Sequence, residues 1–346
     1  MNGKKQVLFI GPVYMDIYKD VIDGFKILDC DVDFIKERQR NNDPQSARYE
    51  FYRLHIGIER KKAQYWKDIL NSPAYNKKYD ILLVIDGQGL HPILFEMLKE
   101  RNPEIKCMNY LFDTTYGVYH FENFFHFFDK VYTFDRAESE RYGINLLPIY
   151  WVPTTTDDTS TESYDMFGFG AYNATRYDVF TQLNSYCQKK QMKVFVKLYE
   201  KMVSNERLYQ LKCVVRKMLG LPAHLPLSHY HSDIITHTTI SPKDFRKYIV
   251  NSRITIDTHP GHQDGLTARF MWALGAGKRI ITTNESVSKY DFYTPKQIFI
   301  LTDETNIENN SDFDRFVVSD MELPVAIRQE IDNYRIDNWL KTICGV

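Results

Sequence analysis

The chain has 346 residues, of which 43% are hydrophobic, 14% aromatic and 26% charged. This is the composition of a globular protein, and the length corresponds to about two domains. The 44 lysines and arginines nearly balance the 45 aspartates and glutamates, which leaves a net charge of -1. No overall positive field therefore draws the chain to nucleic acid, and a nucleic-acid partner is not expected.

The apolar run before Pro12 is too short for a secretory signal, and no later run approaches the roughly 18 residues that a transmembrane helix needs. Five cysteines are scattered along the chain without a CxxC pair, so neither a disulfide framework nor a zinc site is predicted. We therefore expect a cytoplasmic protein with reduced thiols. The cysteines are Cys30, Cys107, Cys187, Cys213 and Cys344.

The first half alternates short apolar runs with segments of helical periodicity. Strands are predicted over residues 6–11, 31–35, 79–86, 105–112, 130–134 and 146–151. Helices are predicted over residues 16–28, from after Pro44 to near residue 70, and over 92–101 and 136–142. Because continuous Ile, Leu and Val runs indicate strands covered on both faces, this alternation predicts a parallel sheet wound with helices.

Residues 153–163 are polar and lack apolar periodicity, which indicates a linker. Beyond it the alternation starts again, with strands predicted over residues 164–170, 192–198, 253–257 and 278–282. Helices are predicted over residues 175–189, 205–219, 266–275 and 324–343, and one more begins at Ser241-Pro242. The predicted fold class is therefore α/β, with two Rossmann-like doubly wound domains, residues 1–152 and 164–323, that face a cleft.

Ligands of such sheets bind beyond the carboxyl ends of the strands, and one strand end is especially rich in polar groups. After Asp257 a polar loop leads into a helix, whose free N–H groups and positive dipole end favour a phosphate group. Arg269 in the first turn would add a bidentate contact. In the alternative interpretation, Gly265 and Gly275 only begin and end this helix. The candidate ligand-binding residues here are His262, Gln263, Gly265, Leu266, Thr267 and Arg269.

The segment FGFGAYNATR is a second candidate, because Gly168 and Gly170 precede a helix there. It lacks the third glycine of a dinucleotide fingerprint. A glycine turn still lets the backbone approach a ligand, with Arg176 and Lys197 as partners for an anion, although a plain turn remains open. The histidines of residues 224–237 lack the compact spacing of metal ligands, so a solvated loop is favoured there over a metal site.

Acidic residues at strand ends are candidates for a general base, since a carboxylate can accept the proton of an attacking hydroxyl group. Asp16, Asp86 and Asp113 qualify by position. Each has a structural alternative: Asp16 caps its helix, Asp86 supports the turn at Gly87, or Asp113 holds the following loop. His120, in a stretch rich in phenylalanine and tyrosine, is a further candidate base.

At these residues the chain resembles a known family. The strings VIDGQGL, YLFDTTYGVY, FFDKVYTFDRAESERYGI and LLPIYWVP, and then FGFGAYNATR and IDTHPGHQDGLTARFMWALGAGKRIITTN, occur in this order over residues 84–284. They are similar to bacterial glycosyltransferases of the spore-maturation (CgeB-like) and lipopolysaccharide or capsule biosynthesis type. The resemblance implies a GT-B fold, with an acceptor domain at residues 1–152, a nucleotide-sugar domain at 164–323, and a last helix in 324–346 that returns to the first domain.

The same resemblance implies roles for the candidate residues. Gly168, Gly170 and Arg176 would line the donor side, and residues 265–269 would hold the diphosphate and nucleotide. No cofactor or essential metal is expected, because the helix dipole and basic side chains can neutralise the leaving diphosphate. One residue departs from the pattern: many relatives have a glutamate that holds the ribose hydroxyls where this chain has Trp272, and an indole has no acceptor.

Three functional hypotheses follow. The first is glycosyl transfer from a nucleotide sugar to a cell-surface glycan or glycolipid precursor. Asp16 or Asp113 would be the base, with His120 as the next candidate, and the protein would make peripheral contact with the inner membrane. The second, prompted by Trp272, is a GT-B binding protein without catalysis. The third is another GT-B reaction, such as epimerisation of a nucleotide sugar.

Overall fold

The computed structural model describes residues 3–37, 58–87, 89–114, 121–153, 163–201, 206–218, 232–259, 263–302, 305, 307–320 and 322–346. Two six-stranded sheets with parallel strands, one from each half of the chain, confirm the predicted doubly wound architecture. Most of the predicted linker and the start of the helix predicted after Pro44 lie outside the described residues.

The first sheet has the order β2-β1-β3-β4-β5-β6. All five side chains of its β3 strand are buried, as the continuous apolar run predicts for a strand with helices on both faces. The strands are β1 (Gln6–Gly11), β2 (Asp31–Lys36), β3 (Ile81–Ile85), β4 (Lys106–Leu111), β5 (Lys130–Thr133) and β6 (Asn145–Leu146). The helices of this half are α1 (Ile17–Ile27), α2 (Ile58–Asn71), α3 (Pro92–Arg101) and α4 (Arg136–Tyr142).

In the second sheet the strand order is β12-β11-β10-β7-β8-β9, so the direction of winding reverses between β7 and β10. Such a reversal opens a crevice at the carboxyl ends of the two central strands. The strands are β7 (Tyr164–Ala171), β8 (Val194–Tyr199), β9 (Ile235–Thr236), β10 (Ser252–Asp257), β11 (Arg279–Thr282) and β12 (Ile298–Ile300). The helices are α5 (Ala174–Lys189), α6 (Glu206–Met218), α7 (Pro242–Val250), α8 (Ala268–Gly275) and α9 (Ser311–Val318).

The last segment differs from the single helix predicted over residues 324–343. It forms two helices, α10 (Val325–Asp332) and α11 (Ile336–Cys344), separated by an extended residue at Arg335. The break allows backbone pairing with Trp151, whose N–H donates to the carbonyl of Tyr334 at 3.0 Å and whose carbonyl accepts from Ile336 at 2.9 Å. The strand predicted over residues 146–151 is shorter, Asn145–Leu146, and Trp151 pairs with Arg335 instead of with the sheet.

Helix α11 completes the core of the first half. Its Trp339 is fully buried, contacts the rings of Tyr110 and Tyr150 with centroids 4.6 and 5.1 Å away, and donates from Nε1 to the carbonyl of Pro148 at 3.1 Å. A Cβ at Gly24 on α1 would lie 2.7 Å from side-chain atoms of α11, so glycine is what allows these two helices to pack closely. The end of the chain thus returns to the first sheet.

Candidate functional site

Arg176 joins the two strands at the crevice of the second sheet. It lies in the first turn of α5, where its N–H donates to the capping Asn173 Oδ1 at 2.7 Å. Its guanidinium donates from Nε to Thr258 Oγ1 at 2.6 Å and from Nη1 to the carbonyl of Ala171. These bonds hold the guanidinium between the carboxyl ends of β7 and β10, where the strand order places a ligand crevice.

The glycines of β7 make room for this arrangement. A Cβ at Gly170 would lie 2.9 Å from Nη1 of Arg176, so a larger residue there would push the guanidinium away. A Cβ at Gly168 would lie 3.1 Å from the Phe180 ring and from Ile256, in the tightly packed core of this half. Gly170 therefore shapes the site through Arg176, whereas Gly168 serves the packing of helix on strand.

Arg269 supplies a second guanidinium beside Asp257. Thr267 caps α8 by accepting from the N–H of Phe270 at 3.1 Å, and its hydroxyl donates to Asp257 Oδ1 at 2.6 Å. Nη1 of Arg269 lies 3.8 Å from the same carboxylate oxygen. The Nε and Nη1 groups of Arg269 are buried, and neither has a hydrogen-bond partner within the described part of the chain.

The local charge balance favours an anion. Burial lowers the pKa of Arg269, and the neighbouring Asp257 carboxylate opposes this shift. Burial also lowers the pKa of Arg176, and the positive charge of Arg269 lowers it further. The guanidinium groups of Arg176 and Arg269 thus share one buried carboxylate, that of Asp257. The buried N–H groups of Arg269 that lack acceptors among the described residues cost folding free energy. A ligand with anionic oxygens would supply the missing acceptors.

The first half contacts this site through Asp135, the residue that caps α4. Its Oδ1 accepts from the N–H of Glu138 at 3.0 Å, and its Oδ2 accepts from the N–H groups of Asp264 and Gly265 at 2.7 and 3.0 Å. A Cβ at Gly265 would lie 2.2 Å from the ring of Phe134, so the two halves touch directly here. The Gly265 amide, a candidate phosphate donor in the sequence, is therefore bonded to the protein's own carboxylate.

Trp272 lies in a second contact between the halves. It is only 6% exposed, and the Arg246 guanidinium lies over its ring with Cζ 4.8 Å from the centroid. Arg246 in turn forms a bidentate ion pair with Asp20 of α1 at 2.9 and 3.0 Å, and Tyr150 donates to that carboxylate at 3.2 Å. Burial raises the pKa of Asp20, although Arg246 opposes the shift. Trp272 is thus covered by Arg246 and packed within the protein.

The remaining candidate donor-binding residues differ in burial and bonding. Lys197 donates from Nζ to the carbonyl of Asp233, and Leu266 is fully buried. Gln263 is half-buried. His262 lies outside the described residues.

The candidate bases follow strands of the first sheet. Asp16 has a left-handed backbone, at φ 58°, and pairs with Lys19 at 3.1 Å. Asp113 is exposed, and its N–H donates to Asp86 Oδ1 at 3.2 Å. The strands that precede them, β1 and β4, are two strands apart, about 10 Å across the sheet. His120 lies outside the described residues.

Asp135 and Thr258 follow strand ends, where ligand-binding residues are expected, but the sequence gives neither a specific role. Asp135 has a sequence signal, since an aspartate followed three residues later by glutamate after a strand is typical of a helix N-terminus, but nothing in the pattern shows its partners in the second half. Thr258 has no such signal. Within the described ranges, no group of three or more His, Cys, Asp or Glu side chains is arranged to hold a metal ion. None of the described helices is long and apolar enough to cross a bilayer.

Similarity to solved structures extends over nearly the whole chain. The UDP-forming α,α-trehalose-phosphate synthase from Burkholderia vietnamiensis matches with a TM-score of 0.53 and 11% identity, covering 98% of both chains. The N-terminal domain of trehalose-6-phosphate phosphatase from Candida albicans matches with a TM-score of 0.52 and 10% identity, covering 99% of this chain and 96% of that one. OtsA in its apo form matches with a TM-score of 0.50 and 11% identity, covering 98% of both chains.

No protein-family model matches the sequence, and a search of curated proteins found no match. At such low identity the structural similarity establishes the fold alone. The chain has the two-domain, Rossmann-like fold of the GT-B type, as its sequence predicts.

Proposed function

We propose that the protein is a glycosyltransferase that moves a sugar from a nucleotide-sugar donor to a hydroxyl group of an acceptor. The observation that carries the proposal is Arg269, whose buried Nε and Nη1 groups lack partners in the described part of the chain, beside Arg176 at the crevice of the second sheet. A diphosphate has the charge and the acceptor oxygens that these groups need. The fold supports the same class, since a trehalose-phosphate synthase with this fold is UDP-forming.

In the proposed reaction, the bond between the sugar and the diphosphate breaks and negative charge develops on the departing diphosphate. Arg176 and Arg269 would stabilise that charge, together with the first N–H groups of α8, Ala268 and Arg269, which have no acceptor within the helix. Thr267 and Asp257 would hold Arg269 in position, through the bond that links them at 2.6 Å. This arrangement needs no metal ion for leaving-group stabilisation.

The acceptor hydroxyl must lose its proton as it attacks the sugar. We infer that Asp16 or Asp113 accepts it, because both follow strands of the first sheet, the half assigned to the acceptor, and His120 stays a further candidate. Substitution of the correct carboxylate, Asp16→Asn or Asp113→Asn, should abolish turnover and leave donor affinity nearly unchanged. Unchanged turnover in both variants would remove both assignments.

For the acceptor we propose a cell-surface glycan or glycolipid precursor of a bacterium, handled at the cytoplasmic face of the inner membrane. The support is the sequence resemblance to spore-maturation and lipopolysaccharide or capsule glycosyltransferases over residues 84–284. In that resemblance Gly168, Gly170 and Gly265 belong to the donor side, and Gly170 fits this role because it makes room for Arg176.

A thermal-shift screen with nucleoside diphosphates and nucleotide sugars tests the proposed donor class, since a ligand that binds only the folded protein raises its melting temperature. We expect one nucleotide series to stabilise the wild type but not Arg176→Met. The matched control is Arg253→Met, which removes an arginine from the amino end of β10, where it pairs with Asp165 at 3.2 Å. A screen in which no nucleotide stabilises the wild type would contradict the proposal.

One observation favours the second candidate, a binding protein without catalysis. Trp272 stands where the resemblance expects a ribose-binding glutamate, and it is covered by Arg246. Nucleotide binding without sugar transfer to any tested acceptor would support this candidate. Epimerisation, the third candidate, would yield a new nucleotide sugar without any acceptor.

A further inference from the structure

Helix α6 exposes an unusual amount of apolar surface. Of the ten large hydrophobic side chains that are strongly exposed in the described part of the chain, five lie on this helix of 13 residues. Scattered single apolar residues are normal on a surface, but a contiguous set indicates a contact with something else. The five are Leu208 (53% exposed), Leu211 (63%), Val214 (48%), Val215 (47%) and Met218 (82%).

The orientation of α6 is the reverse of that of an ordinary surface helix. Leu211, Val215 and Met218 are spaced by four and three residues, so they form one stripe along the helix. Cys213, which is 4% exposed, lies on the opposite face and is directed into the protein. A helix of a globular protein normally buries its apolar stripe and exposes its polar face. Here the large apolar side chains point away from the second half.

The charges beside the stripe are basic. Arg207, Lys212 and Arg216 are exposed on α6, whereas the only acidic residue of the helix is Glu206 at its first position. This local excess stands out in a chain whose net charge is -1. An apolar stripe flanked by cationic side chains is typical of helices that lie in the interface of an anionic bilayer.

We propose that α6 binds to the surface of a membrane that contains anionic lipids, with its apolar stripe inserted among the acyl chains. At 13 residues the helix is about 20 Å long, enough to lie in the plane of the interface and too short to span the bilayer. The same stripe on a second copy of this chain is a poorer partner. Pairing two copies would place Arg207, Lys212 and Arg216 of one copy near the same cationic residues of the other. The inference stands independently of the proposed reaction.

Co-sedimentation of the full chain with lipid vesicles tests this proposal. We expect binding to vesicles of phosphatidylcholine mixed with phosphatidylglycerol, and much weaker binding to phosphatidylcholine alone. The variant Leu211→Glu/Met218→Glu should bind the anionic vesicles at least about tenfold more weakly, because two inserted side chains become charged. In Arg207→Gln/Lys212→Gln the preference for anionic vesicles should fall by roughly fivefold for each charge removed.

The matched control is Ile27→Glu/Val325→Glu, which introduces the same charges at side chains that are 65% and 74% exposed on α1 and α10. It should bind like the wild type. Leu211→Gln/Met218→Gln, which adds no charge, keeps the test valid if the glutamate variant unfolds. Absence of wild-type binding to anionic vesicles, equal binding in the stripe variants, or an equal loss in the control would overturn the proposal. A wild-type dimer in solution that the stripe variants dissociate, without vesicle binding, would assign the surface to a second copy instead.

Discussion

The carboxyl ends of the two sheets differ in how particular charged side chains are bonded. In the first sheet, Asp86 accepts from two backbone N–H groups and Asp135 from three. In the second, Arg269 keeps two buried N–H groups without partners in the described chain. A carboxylate whose acceptors are filled organises the protein, whereas a buried cation with unfilled donors is suited to a ligand. Asp86 and Asp135 thus have structural roles, whereas Arg269 is suited to binding an anion.

The core of the first half is completed by α11, from the end of the chain, and a substitution in this helix should have the largest effect on stability. Trp339→Ala should lower the free energy of unfolding by about 3 to 5 kcal/mol, because the fully buried ring fills the first half between Tyr110 and Tyr150. Denaturant unfolding followed by fluorescence and circular dichroism measures this. A loss below about 1 kcal/mol would show that α11 is dispensable to the first half.

The contact between the halves at Phe134 should be nearly as sensitive. Gly265→Ala places a Cβ 2.2 Å from a ring carbon of Phe134 and 2.9 Å from its carbonyl oxygen, so we expect a loss of about 2 to 3 kcal/mol. The control is Gly3→Ala, where nothing lies within 4 Å and stability should hardly change. In a Phe134→Leu background the cost of Gly265→Ala should shrink, and an unchanged cost would mean that the ring is not the obstacle.

A milder change separates the two functions of Asp135. In Asp135→Asn the amide oxygen can still cap α4, but no second carboxylate oxygen remains for the N–H groups of Asp264 and Gly265. We expect a loss of about 1 to 2 kcal/mol of unfolding free energy. We also expect faster hydrogen exchange at those two amides, and exchange as slow as in the wild type would contradict the assigned bonds.

The smallest expected effect concerns pH. Burial raises the folded-state pKa of Asp20 above 3.8, its ordinary value, so this group favours folding most at pH below that value. Its contribution should be lost as the pH rises through the raised folded-state pKa. Unfolding free energies of the wild type and Asp20→Asn, measured across this acidic range, should therefore diverge, with the wild type losing stability relative to the variant as pH increases. A constant difference would show that Arg246 cancels the effect of burial, and the opposite slope would show that Arg246 outweighs it.

Much of the fold follows from local sequence signals. The limits of β1, α3 and α4 agree with their predictions because Gly11-Pro12, Pro92 and Gly143 interrupt the pattern at these places. The short edge strands β9 and β12 have two and three residues, too few for a pattern. The break between α10 and α11 pairs with Trp151, which is remote in the sequence, so the local sequence does not predict it.

The candidate site shows the same division. Strand ends and helix starts can be located from the sequence, and these positions predict Arg176, Thr267 and Arg269 as ligand-binding residues. The contacts between the two halves cannot be located from the sequence, because Asp135 accepts a hydrogen bond from an amide 129 residues away. The surroundings of Trp272, likewise, are supplied by Arg246 of α7 and Asp20 of α1.

Titration calorimetry with a nucleoside diphosphate tests the central claim, that Arg269 and its neighbours form an anion site in the second half. We predict that the wild type and Arg253→Met bind the nucleotide alike, and that Arg269→Met binds it about 10 to 100 times more weakly. The ligand-free melting temperature of Arg269→Met is measured alongside, because the substitution removes two buried donors without partners in the described chain and also the ion pair with Asp257. Equal affinity in the wild type and Arg269→Met would contradict the account.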